Sequence, residues 1–335
     1  MPRKAFAYTL NNMKKVVVIG GGTGSSVVIT ALKNLPQLEL TALSVVTDSG
    51  GSTGRLRDEF GFLPVGDLRQ CLVALADDAN QKDIRNLLLY RFKKGNGLEG
   101  HNLGNLILTA LEDIKSSPGE AISLASKIFR IKGKVFPITE VDTNLVITYE
   151  DGTKLVGEHF LDDHSKGGKK ITSLELTAPA KIYPQAKKAI ETADLIIVGP
   201  GDLYGSLLPH SLVSGVKDSL IKAKGKFIYI VNLMTHYSQT HELSAQEHVA
   251  TIEEYFGRKP DYVIVNSEKI PDNILALYEN EKEYPVVDDL PINKQIIRAK
   301  LVSKVIAMQS EHDKIARSLL RHDYQELTKV LKKIM

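Results

Sequence analysis

Cysteine is all but absent. Cys71 is the only one in 335 residues, which excludes an internal disulfide and a cysteine-rich metal site and gives no sign of an oxidising compartment. Charge of one sign is lacking as well: 43 Lys and Arg stand against 40 Asp and Glu, a formal net charge of +3. A balance this even excludes wholesale nucleic-acid or membrane-surface binding. No apolar run nears the roughly 18 residues of a membrane span. Residues 1–12 carry Arg3 and Lys4, but their apolar stretch is broken by Tyr8 and Thr9 and is too short for a secretory signal. Repeats and low-complexity segments are missing too. What remains is a chain 43% apolar and 25% charged, able to bury a sizeable core, so disorder and fibrous folds are excluded. At about 150 residues per domain, the length fits two small units or one large one. The expectation is a cytoplasmic protein with an unstructured lead over residues 1–12, a candidate start at Met13, and one domain over 13–335.

Hydrophobic periodicity supplies the architecture. Residues 16–19 are a β-branched run, followed at once by Gly20-Gly21-Gly22-Thr23-Gly24-Ser25-Ser26. Val27, Val28, Ala31, Leu32 and Leu35 then recur at helical spacing until Pro36, and 40–46 is a second β-rich run ending at Thr47-Asp48. Strand, glycine turn, helix, strand opens a parallel doubly wound sheet. The rhythm returns at 195–198, 227–231 and 262–265, short apolar runs of the kind buried parallel strands show. Helical patterns follow over 211–223, 244–256 and 273–281, the second opening on a capping box of Ser244 and Glu247. Asp67 serves as N-cap of a predicted helix through Ala76, and 103–114 and 323–334 are amphipathic. From 135 to 177 the period changes to alternation, with strands at 144–149, 154–157 and 171–177 around the Asp151-Gly152 turn. The fold class expected is therefore α/β: a Rossmann-like, doubly wound, mainly parallel sheet with an inserted antiparallel β segment. Lys166-Gly167-Gly168-Lys169-Lys170 reads as the mobile tip of that segment.

In an open parallel sheet, ligands bind beyond the carboxyl ends of the strands. The residues after each predicted strand are 20–26, 48–54, 199–206, 232–235 and 266–267, and four of these five loops are rich in Gly, Asn, Ser and Thr. In the first, Gly21, Gly22 and Gly24 with Thr23 and Ser25 let the backbone approach an anion at a helix N-terminus. Counting from Gly20 or Gly22, the sixth position is Ser25 or Val27, so the dinucleotide fingerprint is broken; no Gly-Lys-Ser/Thr follows, so it is not a P-loop. A tight turn with no ligand is the plain alternative, and a nicotinamide oxidoreductase is disfavoured.

The second loop is richer. Asp48 is placed to hold a ribose hydroxyl or a divalent metal, Gly51 and Ser52 add an amide and a hydroxyl, and Arg55 or Arg57 is a candidate to neutralise phosphate. Charge-assisted hydrogen bonds contribute about 1.5–3 kcal/mol each, whereas one helix N-terminus adds about 0.3–2 kcal/mol. Micromolar affinity needs about 8 kcal/mol, so two glycine-rich loops and an arginine suffice where one helix does not. The alternative is that both arginines are surface charges. Gly50-Gly51-Ser52-Thr53-Gly54 also spells the serine-hydrolase pattern G-x-S-x-G, but residues 47–49 intervene between strand and turn. His101, in Gly100-His101-Asn102-Leu103-Gly104-Asn105, is a candidate acid, base or phosphate donor, or else a capping residue. Asn105 joins the ligand candidates, as do Gly199, Gly201, Asp202, Tyr204 and Ser206 after the 195–198 strand and Asn232 after the next. Asp48 and His101 are the catalytic candidates. His241 and His248 form no H-E-x-x-H, and Asp77-Asp78, Asp162-Asp163 and Asp288-Asp289 read as solvated turns. No cofactor or metal is assigned with certainty.

Taken together, Gly20 to Gly24, Asp48 to Arg57, Gly66-Asp67-Leu68-Arg69, Gly100 to Asn105, Pro137-Ile138-Thr139-Glu140, Gly157-Glu158, Gly199 to Pro209, Asn232 to Thr235 and Arg321-His322-Asp323 resemble one family. From Met13 onward the chain is similar to the gluconeogenesis-factor branch of the 2-phospho-L-lactate transferase (CofD) superfamily. That resemblance implies a Rossmann-like core. In this branch it implies binding of UDP-sugars, notably UDP-N-acetylglucosamine, with roles in gluconeogenic growth and cell shape. In the transferase branch it implies magnesium-dependent transfer of a phospholactyl group from a guanosine diphosphate donor to a deazaflavin alcohol. Both ligands are a nucleoside diphosphate carrying a small group. The chain departs from the family where a second acid is usual, having Ser49 after Asp48, which weakens a metal site. Gly-Pro-Gly-Ser-Leu-Tyr-Thr-Ser is usual where Asp202 and Gly205 stand, and Gln-Pro-Gly-Glu-Thr where His236-Tyr237-Ser238-Gln239-Thr240 stands. A homodimer is the only protein partnership expected.

Overall fold

The computed structural model describes residues 13–76, 81–163, 165, 167–305 and 319–335; the expected lead, Asp77, Asp78 and Lys166 lie outside these. The strands are β1 (Lys14–Ile19), β2 (Leu38–Ser44), β3 (Lys134–Pro137), β4 (Leu145–Tyr149), β5 (Lys154–Val156), β6 (Ile171–Leu176), β7 (Leu195–Val198), β8 (Lys226–Ile230), β9 (Tyr262–Asn266) and β10 (Ile296–Ala299). Seven of them form one parallel sheet in the order β10-β9-β8-β7-β1-β2-β3, and β5-β4-β6 make a small antiparallel sheet. Val16 and Val18 of β1 face one core while Val17 and Ile19 face the other. Burial on both faces is why the strand reads as an unbroken apolar run.

Helices α1 (Gly22–Leu32), α2 (Gly51–Phe60), α3 (Gly66–Leu75), α4 (Lys82–Leu89), α5 (Leu103–Lys115) and α6 (Pro118–Ile128) fall between β1 and β3. Val28, Leu32, Leu68, Leu72, Leu108 and Ile122 carry α1, α3, α5 and α6 into the first core. The last helix, Tyr324–Ile334, completes that layer against α1. Asp323 caps it by accepting from the Gln325 and Glu326 amides. Thr328 Oγ1 donates to the Ala31 carbonyl at 2.7 Å, and Lys226 Nζ reaches the Ile334 carbonyl. On the opposite face, Leu145, Ile147 and Leu174 of the small sheet join the second core.

Several expectations shift. β2 ends at Ser44, leaving Val45 and Val46 buried beyond the strand. The antiparallel excursion starts at Leu145 rather than at 135, because β3 pairs parallel with β2 as the edge of the main sheet. The helix expected over 211–223 is broken into Pro209–Leu212 and Val216–Lys222. Asp67 does not cap its own helix, since α3 begins at Gly66 with Val65 as N-cap. The described part of the 166–170 stretch is tied down: the Gly168 amide donates to the Tyr237 carbonyl, and Lys169 pairs with Asp151 at 2.6 Å. The Ser244–Glu247 capping box is formed.

Candidate functional site

From β1 the chain runs to β2 on one side, and from β7 to β8 on the other. The crevice at that reversal is where a doubly wound sheet receives ligands. A cleft of about 630 Å³ opens there, walled by the loops after β1, β2, β7 and β8. The turn Glu158–Asp162, Glu283 and residues 320–322 complete it.

Three helices start on this wall. α1, α2 and α3 begin at Gly22, Gly51 and Gly66, and none has a side-chain cap from its N-cap residue. Their first-turn amides have no helical partner and lend the wall partial positive charge. One such amide is met from afar: the Gly22 N–H donates to Asp67 Oδ1 at 2.8 Å. A Cβ at Gly21 would stand 1.9 Å from Asp67 Oδ2, and one at Gly24 would stand 2.2 Å from the Pro200 carbonyl oxygen. Neither position has room for a Cβ as the chain is packed, because α1 starts in contact with α3 and with the loop after β7.

Of the candidates named from sequence, Gly21, Gly22, Thr23, Gly24, Asp48, Gly51, Ser52, Asn105, Gly201, Asp202, Ser206 and Asn232 line the cleft. Their side chains are partly engaged in shaping it. Asp48 Oδ1 accepts from the Gly50 amide. Asn232 clamps Gly201, accepting from its amide and donating to its carbonyl. Asn105 Oδ1 accepts from Arg69 Nε at 2.7 Å while its Nδ2 donates to Thr53 Oγ1.

Six candidates lie off the wall. Ser25 is buried, its hydroxyl donating back to the Gly21 carbonyl. Arg57 is buried and bonds Asp142, Asn144 Oδ1 and the Thr143 carbonyl, so it staples α2 to the segment before β4. Arg55 reaches out to the Glu99 carbonyl. Gly199 and Tyr204 sit behind the loop, and burial, then Tyr255 and Glu254, push the Tyr204 phenol up to about 12. His101 stands behind Ser52, its Nδ1 3.2 Å from Ser52 Oγ. Burial, then the Arg55 charge, hold its pKa below the usual histidine range.

Sequence reasoning missed much of the polar wall. Arg69, Arg91 and Arg321 supply the cations, and Glu158, Asp162 and Glu283 join Asp48, Asp67 and Asp202 as acids. Asp162, expected as a solvated turn, faces the cleft; burial and then Asp202 raise its carboxyl to about 7. Burial and then Asp202 raise Glu283 to about 8. Glu158 is pushed well above the carboxylate range by burial and then by Asp48. His236 lies between Asp162 and Glu283. The Gly-Asp-Leu-Arg at 66–69, Gly157-Glu158 and Arg321-His322 segments carried a usable signal; Asp162 and Glu283 carried none.

Among the described residues, no three His, Cys, Asp or Glu side chains are arranged to hold a metal ion. Asp48 accepts from Gly50 and Asp67 from Gly22, and Ser49 stands where a second acid is usual, its hydroxyl facing His159. Among the described residues there is therefore no all-protein cage for a magnesium ion. Nor is there a nucleophile elbow: β2 ends at Ser44, well before Gly50, and Ser52 lies inside α2. No helix among the described residues is long and apolar enough to cross a membrane.

Comparison with known proteins agrees with this geometry. The family model for 2-phospho-L-lactate transferase CofD matches residues 16–308. The gluconeogenesis factor of Bacillus subtilis is 37% identical over 320 residues, covering 95% of this chain and 96% of that protein. That of Halalkalibacterium halodurans is 40% identical over 278 residues, 82% of this chain and 84% of its own. A crystal structure of a UPF0052-family protein from Bacillus halodurans superposes with a TM-score of 0.85 at 34% identity, covering 96% of this chain and 99% of that one. With strand order, glycine turns and sequence agreeing over nearly its whole length, the chain belongs to the gluconeogenesis-factor family within the CofD superfamily.

Proposed function

We propose that the cleft binds a nucleotide sugar, a nucleoside diphosphate carrying a group like N-acetylglucosamine. Through that binding the protein regulates carbon metabolism, cell shape and envelope-precursor supply. The supporting observation is the two-sided character of one cleft. On the β1–β2 side stand three glycine-started helices with Arg69 and Arg91, where Asp48 and Asp67 already accept from the Gly50 and Gly22 amides; around Asp202 of the loop after β7 gather the carboxyls of Asp162 and Glu283. The first side suits a diphosphate, which takes amide donors and guanidinium groups. The second offers carboxylate acceptors, which suit the hydroxyls of a ribose or sugar. The volume lies within the roughly 300–1,000 Å³ of small-ligand sites, and relatives named gluconeogenesis factor support the regulatory role.

In this reading Thr23 and Gly24 cradle the diphosphate with the amides Asp67 leaves open, Asp48 holds the ribose, and Asp202 with Ser206 meets base or sugar. Calorimetric titration with UDP-N-acetylglucosamine and with GDP, each with and without magnesium, tests it. Micromolar, uridine-selective binding without magnesium is expected, and it is lost in Asp48→Ala. Guanosine-selective, magnesium-dependent binding would instead favour the phospholactyl transferase reading. That reading has to seat a lactyl carboxylate, and the acid side of the cleft counts against it.

A further inference from the structure

His236 is gripped from two sides. Its Nε2 lies 3.5 Å from Glu283 Oε1 and 3.9 Å from Asp162 Oδ1. Its Nδ1 lies 3.0 Å from Ser238 Oγ, whose single proton is given to the Leu161 carbonyl. Nδ1 is therefore the donor to Ser238. Nε2 is left facing the two carboxyls, the other side of the ring being taken up by Ser238.

The three side chains come from separate elements: the Glu158–Asp162 turn, the loop after β8, and the segment after the helix Asp272–Glu279. All three line the cleft. The charges facing them are acidic: Asp202 acts on both carboxyls, Asp48 on Asp162, and Glu281 on Glu283.

We propose that Asp162, His236 and Glu283 are the specificity-determining wall of the cleft. It admits, on the diphosphate, a group whose edge offers hydroxyl or amine donors, and it excludes one that carries a carboxylate. Carboxylate oxygens accept O–H and N–H donors, whereas an anionic edge meets like charge in a partly desolvated site. This inference rests on the nucleotide-sugar reading and names what that site selects. The wall gains charge as pH rises, because Asp162 and Glu283 hold their protons to about 7 and about 8.

The test uses UDP, UDP-glucose and UDP-glucuronate, the two sugars differing in one oxidised carbon. Each is titrated into the wild type and into the Asp162→Asn/Glu283→Gln double variant, near pH 6 and near pH 8.5. At the higher pH, UDP-glucuronate is expected to bind the wild type at least about tenfold more weakly than UDP-glucose. The gap narrows near pH 6 and closes in the double variant. If that variant does not fold, the wild-type pH dependence decides alone, and a gap that is absent or unchanged between the two conditions overturns the inference. If UDP binds and both sugars bind equally, the wall does not select, and the inference fails while the nucleotide reading stands. If UDP itself does not bind, the nucleotide reading fails and takes the inference with it.

Discussion

Asp67 and Gly22, 45 residues apart in sequence, are joined by a 2.8 Å hydrogen bond from the Gly22 amide to Oδ1. The start of α1 therefore already holds an anion of the protein's own. A capping carboxylate at a helix N-terminus stabilises by about 0.5–2 kcal/mol. It also takes up the Gly22 amide, so that amide is not open to any other acceptor.

Glycine-to-alanine changes on either side of that bond should behave differently. A Cβ at Gly21 clashes with the Asp67 carboxylate, which can swing away or be removed, and otherwise makes ordinary contact with Val45; a Cβ at Gly24 clashes with the backbone of Pro200 and Gly201. Urea unfolding is expected to show Gly24→Ala destabilised by about 1–3 kcal/mol. Gly21→Ala should recover stability when combined with Asp67→Ala, whereas Gly24→Ala should not.

Arg57 should prove structural. Its guanidinium is buried on Asp142, Asn144 and the Thr143 carbonyl, and hydrogen bonds to a charged group contribute about 1.5–3 kcal/mol. Asp142 is half exposed, so a loss of about 2 kcal/mol is expected for Arg57→Ala. Nucleotide affinity per folded molecule should not change, as calorimetry on the folded fraction would read; a tenfold loss would return Arg57 to the ligand.

Stability should fall as pH rises through the range from about 6.5 to 8.5. Burial raises Asp162 to about 7 and Glu283 to about 8, so in this window the folded chain binds more protons than the unfolded one, which favours folding less as pH increases. His210 and His322 act oppositely and earlier: burial lowers both to about 4, so their contribution grows with pH and is complete above the unfolded histidine pKa. Thermal melts across pH should show the decline on the alkaline side, and Asp162→Asn/Glu283→Gln should lessen it, the remainder belonging to Glu112, raised by burial to about 7, and to Glu158, raised by burial and Asp48.

Ser52 should resist a fluorophosphonate. Its oxygen accepts from the Asn102 amide at 3.2 Å and from Asn105 Nδ2 at 3.5 Å, which turns its proton toward His101. Both lone pairs are thus engaged, and the residue is buried. Intact-mass analysis should find no adduct; a single adduct abolished by Ser52→Ala would revive the hydrolase reading.

The parts of this molecule that could be read from sequence are those whose signal is local. Val16 to Ile19 and Leu195 to Val198 announce buried parallel strands because both their faces are apolar. The glycines after β1 and β2 announce helix starts, and Ser244 with Glu247 announces a cap. Arg57 and Tyr204 misled because residue type says nothing of direction: each leaves a glycine-rich loop yet turns into the protein. Asp162 and Glu283 were invisible for the opposite reason. Asp162 reads as a solvated turn and Glu283 lies in a plain polar stretch, and only the tertiary fold sets both within 4 Å of His236. Asp67 was noticed, but for its own helix, because capping rules look forward along the chain and not across a sheet.

The last helix has a consequence for synthesis. Thr328 Oγ1 lies within hydrogen-bond distance of the Ala31 carbonyl across 297 residues of sequence and of the Tyr324 carbonyl in its own helix, and the same helix packs on α1 and receives Lys226 at its end. On the ribosome, α1 and β1 emerge early and meet β2 and α3 soon after, while the strip of α1 that faces the last helix waits until residues 324–334 have been made. The cleft's first wall begins on that same α1, so the support behind it is completed only when that helix docks.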